Sequence, residues 1–283
     1  MKNDQLSAVE ILFLNVSLGY TKSSLHYPRE ESLQNIVPKL AGLAVSIHAP
    51  YAMSLTVQDK KSYSTSKAHF TVNLKLGHAL GARYIIFHSG SIRKSISKDR
   101  TTKEITKRLK EIMLKREERN YSPLPAPEVA GKLGGFADFH TLVLLAEEIG
   151  CFLCWDFAHD FVRGGDVGTY EMILKRFTYL ENHLELSSHQ RLPIHLSGII
   201  GGKRGEKQHT LLDEGDGVPW KLFLTVIKNQ GYLEKTTIIC ESKADQKDLD
   251  TRLSDATKIK NFLMSDEEVT SWQAKRTRLD SFF

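Results

Sequence analysis

Short apolar runs alternate along the chain with longer segments whose apolar residues recur every three or four positions. Val9 to Leu14, Ala44 to Ile47, Tyr84 to Phe87, Cys151 to Trp155, Leu192 to Ile194 and Thr236 to Cys240 are short, apolar and mostly β-branched or aromatic. They read as buried strands. A helix is predicted from Lys67, with Ala68, Val72, Leu76 and Ala79 on one face and Gly81 as its stop. A charged helix opens at the capping box Thr101-x-x-Glu104 and carries Ile105, Leu109, Ile112 and Met113 inward. Asp138 caps a third helix, with Leu142, Leu145, Ala146 and Ile149 on its apolar stripe. Further helices are predicted over Tyr170 to Leu184, from Trp220 to Gly231, and through Leu249, Leu253, Ala256, Ile259 and Leu263.

Three segments break the alternation. Glu30 to Val37 reads as a short helix stopped by Pro38. The three prolines of Tyr121 to Glu128 argue against a central strand there. Gly201 to Gly217 is rich in glycine and charge and reads as a loop. Apolar strands alternating with helices specify a parallel sheet covered by helices. Roughly seven such units at this length suit a TIM-type (β/α) barrel rather than an open sheet. The barrel domain spans residues 1–265, and 266–283 is a polar, flexible tail.

Composition narrows the class. With 283 residues, 26% charged and 9% aromatic, the chain has the profile of a soluble globular protein with a sizeable core. No apolar stretch is long enough to span a membrane, and the N-terminus lacks a secretory h-region, so a cytoplasmic monomer is expected. Cys151-x-x-Cys154 invites a redox or zinc reading, but strand alternation would send the two side chains to opposite faces. Buried free thiols are the expectation. The net charge of +5 permits a polyanionic partner without requiring one.

The candidate chemistry lies where the strands end. The run Cys151 to Phe157 contains the carboxylate Asp156, and His159 follows three residues later. Asp156 could simply cap the next helix, but other strand runs also finish on ionisable residues. His48, His88, His195 and Glu241 follow strand runs, Glu128 closes the proline-rich stretch, and His209 lies in the glycine-rich loop. In a barrel all strand C-termini converge on one face, so these residues would meet there. Imidazoles and carboxylates without thiolates suit zinc or a similar divalent ion, and shared carboxylates could bridge several ions. Closely spaced ions are a common device for phosphodiester hydrolysis.

These residues carry a family resemblance. The motifs are His48-Ala49-Pro50-Tyr51, Leu80-Gly81-Ala82 leading to Phe87-His88-Ser89-Gly90-Ser91, and Trp155-Asp156-x-x-His159 through Gly165-Asp166. His195-Leu196 and Ile239-Cys240-Glu241 continue them, and Glu128-Val129-Ala130-Gly131 opens a glycine-rich turn. From about Val9 to Leu263 the chain resembles the endonuclease IV family of abasic-site endonucleases, a zinc-dependent branch of the xylose-isomerase-like barrels. The resemblance implies cleavage of duplex DNA 5′ to abasic sites and up to three zinc ions. It carries metal ligation onto His48, His88, Glu128, Asp156, His159, His195, His209 and Glu241. Glu128 and Glu241 take catalytic roles, and Tyr51 faces the DNA gap.

The chain departs from that pattern in three places. Two residues before His209, where the family has aspartate, stands Lys207, next to Glu206. The third ion is then either weakly bound or held by Glu206 on a shifted loop. The spacing from His209 to Gly215-Asp216-Gly217 is longer than in the family's bacterial members, which loosens the alignment there. Val9 to Leu14 corresponds to the family's second strand, so the first strand–helix unit is missing and the barrel is either open or closed by seven strands.

The tail resembles a different motif. Leu279, Phe282 and Phe283, preceded by Lys275, Arg276 and Arg278, are similar to sliding-clamp-binding peptides, with Arg276 where a glutamine is expected. That resemblance implies a sliding clamp as partner and, together with the first, an archaeal-type protein. Two other functions fit parts of the pattern: a single-metal sugar isomerase or epimerase on the same barrel, and a degenerate barrel that binds DNA without cutting it.

Overall fold

The predicted apolar runs become strands of one parallel wall. The computed structural model describes residues 6–13, 27–51, 53–92, 95–243, 249–269 and 271. Strands β1 (Ala8–Leu12), β2 (Ala44–His48), β3 (Tyr84–Phe87) and β4 (Leu124–Pro127) pair in that order, all parallel. Strands β5 (Trp155–Asp156), β6 (Leu192–Leu196) and β9 (Thr236–Cys240) form a second parallel set. The two sets join through a parallel bridge between Glu128 and Cys154, with the Cys154 N–H donating to the Pro127 carbonyl at 3.0 Å. Seven parallel strands therefore follow one another around the wall.

Helices wrap its outside: α1 (Lys60–Ala79), α2 (Lys98–Glu118), α3 (Phe139–Ile149), α5 (Tyr170–His183), α6 (Trp220–Asn229) and α7 (Leu249–Met264), while the short α4 (Phe157–Val162) follows β5 and packs against β5 and β6. This is the expected (β/α) barrel. Among the described residues β1 and β9 are neighbours without a ladder between them, and a cavity of about 610 Å³ lies at that seam beneath α7. Among the described residues the wall therefore has an opening at this seam.

The largest departure from expectation is β4. Its sequence Leu-Pro-Ala-Pro is a central strand despite its prolines. In a parallel strand, successive residues direct their N–H and C=O groups to opposite sides. Leu124 and Glu128 donate toward β3, to the carbonyls of Arg83 and Phe87 at 2.8 and 2.9 Å. The missing donors of Pro125 and Pro127 face β5, where their carbonyls still accept from Phe152 and Cys154. On the β5 side the prolines supply acceptors alone, and the donor comes from Val129 beyond them, to the Cys154 carbonyl at 3.1 Å, so the ladder survives.

Smaller departures lie at helix starts. Asp59 caps α1 by accepting from the Ser62 N–H at 2.7 Å, so α1 begins before Lys67. Ser97, not Thr101, caps α2. The predicted helix at Glu30 is two 3-10 turns, Glu30–Asn35 and Val37–Leu40, and Pro38 opens the second rather than ending the first. The predicted loop Gly201 to Gly217 is in its first part an antiparallel hairpin, formed by β7 (Gly198–Gly202) and β8 (Gly205–Thr210).

The core on the α3–α6 side centres on Trp155, fully buried among Phe139, Phe157, Phe177 and Phe223 with ring centroids 4.9 to 5.9 Å away. Truncating such a ring costs about 3–5 kcal/mol. This cluster fixes β5 and therefore the position of Asp156. Cys151 and Cys154 are free and buried, and burial pushes the Cys151 thiol up to about 12 and the Cys154 thiol up as well. They are packing residues, not a redox pair. No helix among the described residues is long and apolar enough to cross a membrane. The tail residues Leu279, Phe282 and Phe283 lie outside the described residues.

Candidate metal centre

Glu128 leaves the end of β4 with its side chain fully buried. Four imidazoles surround it. Its Oε2 lies 3.2 Å from His48 Nε2 and 3.3 Å from His88 Nε2, and its Oε1 lies 3.2 Å from His159 Nδ1 and 3.5 Å from His195 Nδ1. His48 and His195 stand on β2 and β6, and His88 directly follows β3. The barrel brings strand ends from opposite walls to one carboxylate, as the strand-end pattern predicts.

Asp156 combines its two anticipated roles. Oδ1 accepts the His159 N–H at 2.6 Å and so caps α4, while the buried Oδ2 has no hydrogen-bond partner and lies 3.4 Å from His159 Nδ1. One side chain starts a helix and leaves an oxygen for the site.

The histidines are oriented from behind. His48 Nδ1 and His159 Nδ1 lie 2.9 Å from the carbonyls of Ala49 and Val129, groups that can only accept. In the neutral rings Nδ1 therefore carries the hydrogen and Nε2 offers its lone pair. His209 Nδ1 meets Ser197 Oγ at 2.7 Å, so its Nε2 comes 3.0 Å from His159 Nε2. His195 is turned the other way. Its Nε2 lies 3.2 Å from Glu10 Oε2, which also accepts from Ser46 Oγ at 2.8 Å, and its Nδ1 lies 3.2 Å from Glu241 Oε1.

Glu10 is the residue that sequence reading missed. It interrupts the apolar run of β1, and a lone carboxylate in a strand was the available signal. Glu206, offered by the sequence beside Lys207, has its Oε2 3.4 Å from His159 Nε2, whereas Lys207 is exposed. Tyr51 is 56% exposed at the rim, its ring stacked on His88 with centroids 4.6 Å apart.

The donor set fits divalent cations. Potential ligand atoms converge in four overlapping groups: His48, His88 and Glu128; Glu128, Asp156, His195 and Glu241; Asp156, His159 and His209; and Glu10, His48 and Glu241. Glu128 Oε1, Asp156 Oδ2 and His195 Nδ1 are buried without hydrogen-bond partners. Leaving such atoms unsatisfied costs about 1–3 kcal/mol each, and cations at the centre would satisfy all three. Nitrogen and oxygen donors without sulfur match zinc or a similar ion.

Without cations the site is electrostatically tense. Burial lowers the proton affinity of His48 and His159, yet the carboxylates around them win. Glu128, Glu10 and Glu241 raise His48 to about 9, and Asp156, Glu128 and Glu206 raise His159 to about 10. Burial, with Glu128 opposing, takes His88 down to about 4, next to His48 and His159. Burial lifts Asp156 to about 6 against the pull of His159 and His209. Protons thus stand in for the cations the geometry would hold.

Relatives share this barrel. The sequence profile of the xylose isomerase-like TIM barrel matches residues 6–263. An uncharacterized protein of Methanocaldococcus jannaschii is 28% identical over 244 residues, covering 84% of this chain and 87% of that protein. A probable endonuclease 4 of Aquifex aeolicus is 23% identical over 187 residues, covering 64% of this chain and 66% of that one. Among solved structures, endonuclease IV from Thermus thermophilus superposes with a TM-score of 0.67 at 20% identity, covering 92% of this chain and 90% of that one. A D-tagatose 3-epimerase-like protein superposes with 0.69 at 15% identity, covering 92% and 89%. The barrel alone therefore does not separate nuclease from epimerase. With parallel strands, wrapping helices and a strand-end cluster of imidazoles and carboxylates, and with a profile match over most of its length, the chain belongs to the xylose isomerase-like TIM barrel family.

Proposed function

We propose that this protein is a metal-dependent DNA repair endonuclease that hydrolyses the phosphodiester 5′ to abasic sites, with zinc as its ion. The observation that carries this reading is the sharing of carboxylates: Glu128 and Asp156 each belong to two neighbouring groups of potential ligands. Shared carboxylates hold ions side by side, an arrangement suited to a phosphodiester with its attacking and leaving oxygens. A single-ion sugar epimerase needs only one such group beside a small pocket.

Divalent ions held there would supply charge neutralisation on the phosphate and acidification of the attacking water. The protein's own groups do the rest. Glu128 fixes the centre by facing both the His48–His88 and the His159–His195 sides. Glu241, half-buried at the end of β9, is placed to orient a water nucleophile beside His195. Tyr51, exposed over His88, is suited to fill the gap left by the missing base. An abasic sugar leaves the stack at low cost because it has no base to unpair, which lets its phosphate reach a recessed centre.

The remaining parts of the proposal follow the sequence: a cytoplasmic monomer recruited to duplex DNA by a sliding clamp through Leu279, Phe282 and Phe283. The test is incision of a duplex oligonucleotide bearing one tetrahydrofuran abasic analogue. A single cut 5′ to the analogue, absent after chelation and absent on intact duplex, supports the reading. Zinc-loaded protein that leaves the analogue uncut while epimerising ketohexoses would replace it with the sugar reading.

A further inference from the structure

The third group of potential ligands, Asp156, His159 and His209, is the one whose last member comes from a hairpin rather than a strand end. That hairpin is irregular where it approaches the site. Along β7 and β8, Ile199 pairs with His209 and Ile200 with Gln208, but Gly201 pairs with Glu206. Lys207 is the extra residue of a β-bulge. In a regular strand, side chains three positions apart point to opposite faces. The bulge cancels that alternation, because Ile199 and Gly201 share a face and their partners His209 and Glu206 therefore share it too. Exposure agrees: Glu206 and His209 are half-buried, while Lys207 and Gln208 are exposed.

The turn after β4 holds this face in place. Glu206 N–H donates to the Gly131 carbonyl at 3.0 Å, and Leu133 N–H donates to the Arg204 carbonyl at 2.9 Å. Gly131 permits the approach: a side chain there would collide with the His159 ring and come within 2.7 Å of Glu206 Cβ. Gly205, at φ +85°, makes the matching turn on the hairpin. The glycine-rich turn thus presses Glu206 and His159 together. Glu206 Oε2 lies 3.4 Å from His159 Nε2, and Oε1 lies 4.0 Å from His209 Nε2. Those two nitrogens are 3.0 Å apart with their Nδ1 atoms already engaged, and Asp156 Oδ2 has no hydrogen-bond partner.

We propose that Glu206, turned inward by the bulge at Lys207, is the fourth protein ligand of a divalent-ion site with Asp156, His159 and His209. The inference rests on reading the cluster as a metal centre and is independent of whether the substrate is DNA or sugar. It makes the bulge functional: one inserted residue exchanges a lysine for a glutamate at the site without moving His209. The site would be two-imidazole, two-carboxylate, a set suited to zinc, cobalt or manganese.

The test uses full-length protein stripped with a chelator, refilled with zinc or cobalt(II), desalted and counted by elemental analysis. Wild type is expected to retain three ions and E206Q two, with the weakest-held zinc at least tenfold easier to remove by a competing chelator. K207A is expected to match wild type. A direct readout comes from E206C loaded with cobalt(II). A thiolate-to-cobalt charge-transfer band, absent from wild type and K207C, would place residue 206 on the ion even if E206Q were unstable. Three ions held by E206Q within twofold of wild type, two or fewer held by wild type, or no such band in E206C would each overturn the proposal. Nuclease activity enters none of these readouts, so failure of the endonuclease reading would be seen separately in the incision assay.

Discussion

Two halves of the candidate metal centre are built in different ways. His48, His88 and Glu128 stand at the ends of adjacent strands β2 to β4, which hydrogen-bond to one another in the parallel wall. Their positions are fixed by the same ladders and packing that fold the barrel. Glu206 and His209 stand on the β7–β8 hairpin, outside the wall, attached through backbone contacts to the glycine-rich turn. The first half is over-determined, and the second depends on a few close approaches and one bulge. Ligands of the first half should therefore resist perturbation until a ligand itself is changed, whereas the second half should yield to changes in its supports.

The largest expected effect comes from removing the residue common to the first half. Glu128→Gln leaves four imidazoles around a neutral amide, and should cost at least about a thousandfold in catalysis, equivalent to about 4 kcal/mol of barrier. Ion content should fall as well, measured by elemental analysis alongside incision rates. Glu241→Gln should lower the rate as strongly, since Glu241 belongs to two of the four ligand groups, while leaving DNA affinity within a few-fold. Incision by E241Q within about tenfold of wild type would remove Glu241 from the mechanism.

Gly131→Ala is the corresponding change in the hairpin half. The added methyl cannot coexist with the present positions of His159 and Glu206, so the turn and hairpin must separate. Loss of one ion with the other two retained is expected, together with about a tenfold to hundredfold loss of activity, the usual scale for a displaced support. Loss of all ions would mean that the two halves are not separable.

Protonation sharpens the same contrast. His48 and His159, raised to about 9 and about 10, gain stability from their carboxylates that is fully present below the unfolded value of about 6.5. That stability is lost as pH rises through the folded values. His88, lowered to about 4, and Asp156, raised to about 6, have completed their titration below this window. Chelated protein should therefore lose thermal stability between about pH 7 and pH 10. Zinc-loaded protein should hold or gain it, because cations replace protons more readily as pH rises. Parallel denaturation curves for the two forms across that range would contradict the proton-for-cation picture.

Smaller effects belong to the orienting groups. Ser197→Ala frees the His209 ring, and Glu10→Gln weakens the partner that turns His195 Nδ1 toward Glu241. Each should weaken zinc affinity by about tenfold to hundredfold in a chelator competition, with S197A affecting only the weakest-held ion. Tyr51→Ala, at the exposed rim, should leave ion content unchanged and reduce the preference for abasic over intact duplex by a few-fold.

The same division explains what could be read in advance. Strand ends are legible because an apolar run of four or five residues that stops at His or Glu states both its element and its exit point. His48, His88, His195 and Glu241 follow from that rule. β4 is not legible, since proline counts against a central strand unless, as here, both prolines turn their missing donors to one side and a later residue, Val129, donates there. Glu10 was lost because a single polar residue in an apolar run is indistinguishable from an outward-facing strand position until pairing is known. The hairpin was lost for a different reason: a bulge depends on the register between two strands, and register is a property of the pair. Spacing pointed to Lys207 or Glu206, and only the pairing with Gly201 selects Glu206.

The proposed function requires that this barrel mouth hold ions side by side through shared carboxylates. Crystals of the zinc-loaded protein, measured by anomalous diffraction at the zinc edge, test it directly. Three peaks are expected: one among His48, His88 and Glu128, one among Glu128, Asp156, His195 and Glu241, and one among Asp156, His159, Glu206 and His209. A single peak at the Glu128, Asp156, His195 and Glu241 group, with the other two groups empty at saturating zinc, would contradict it.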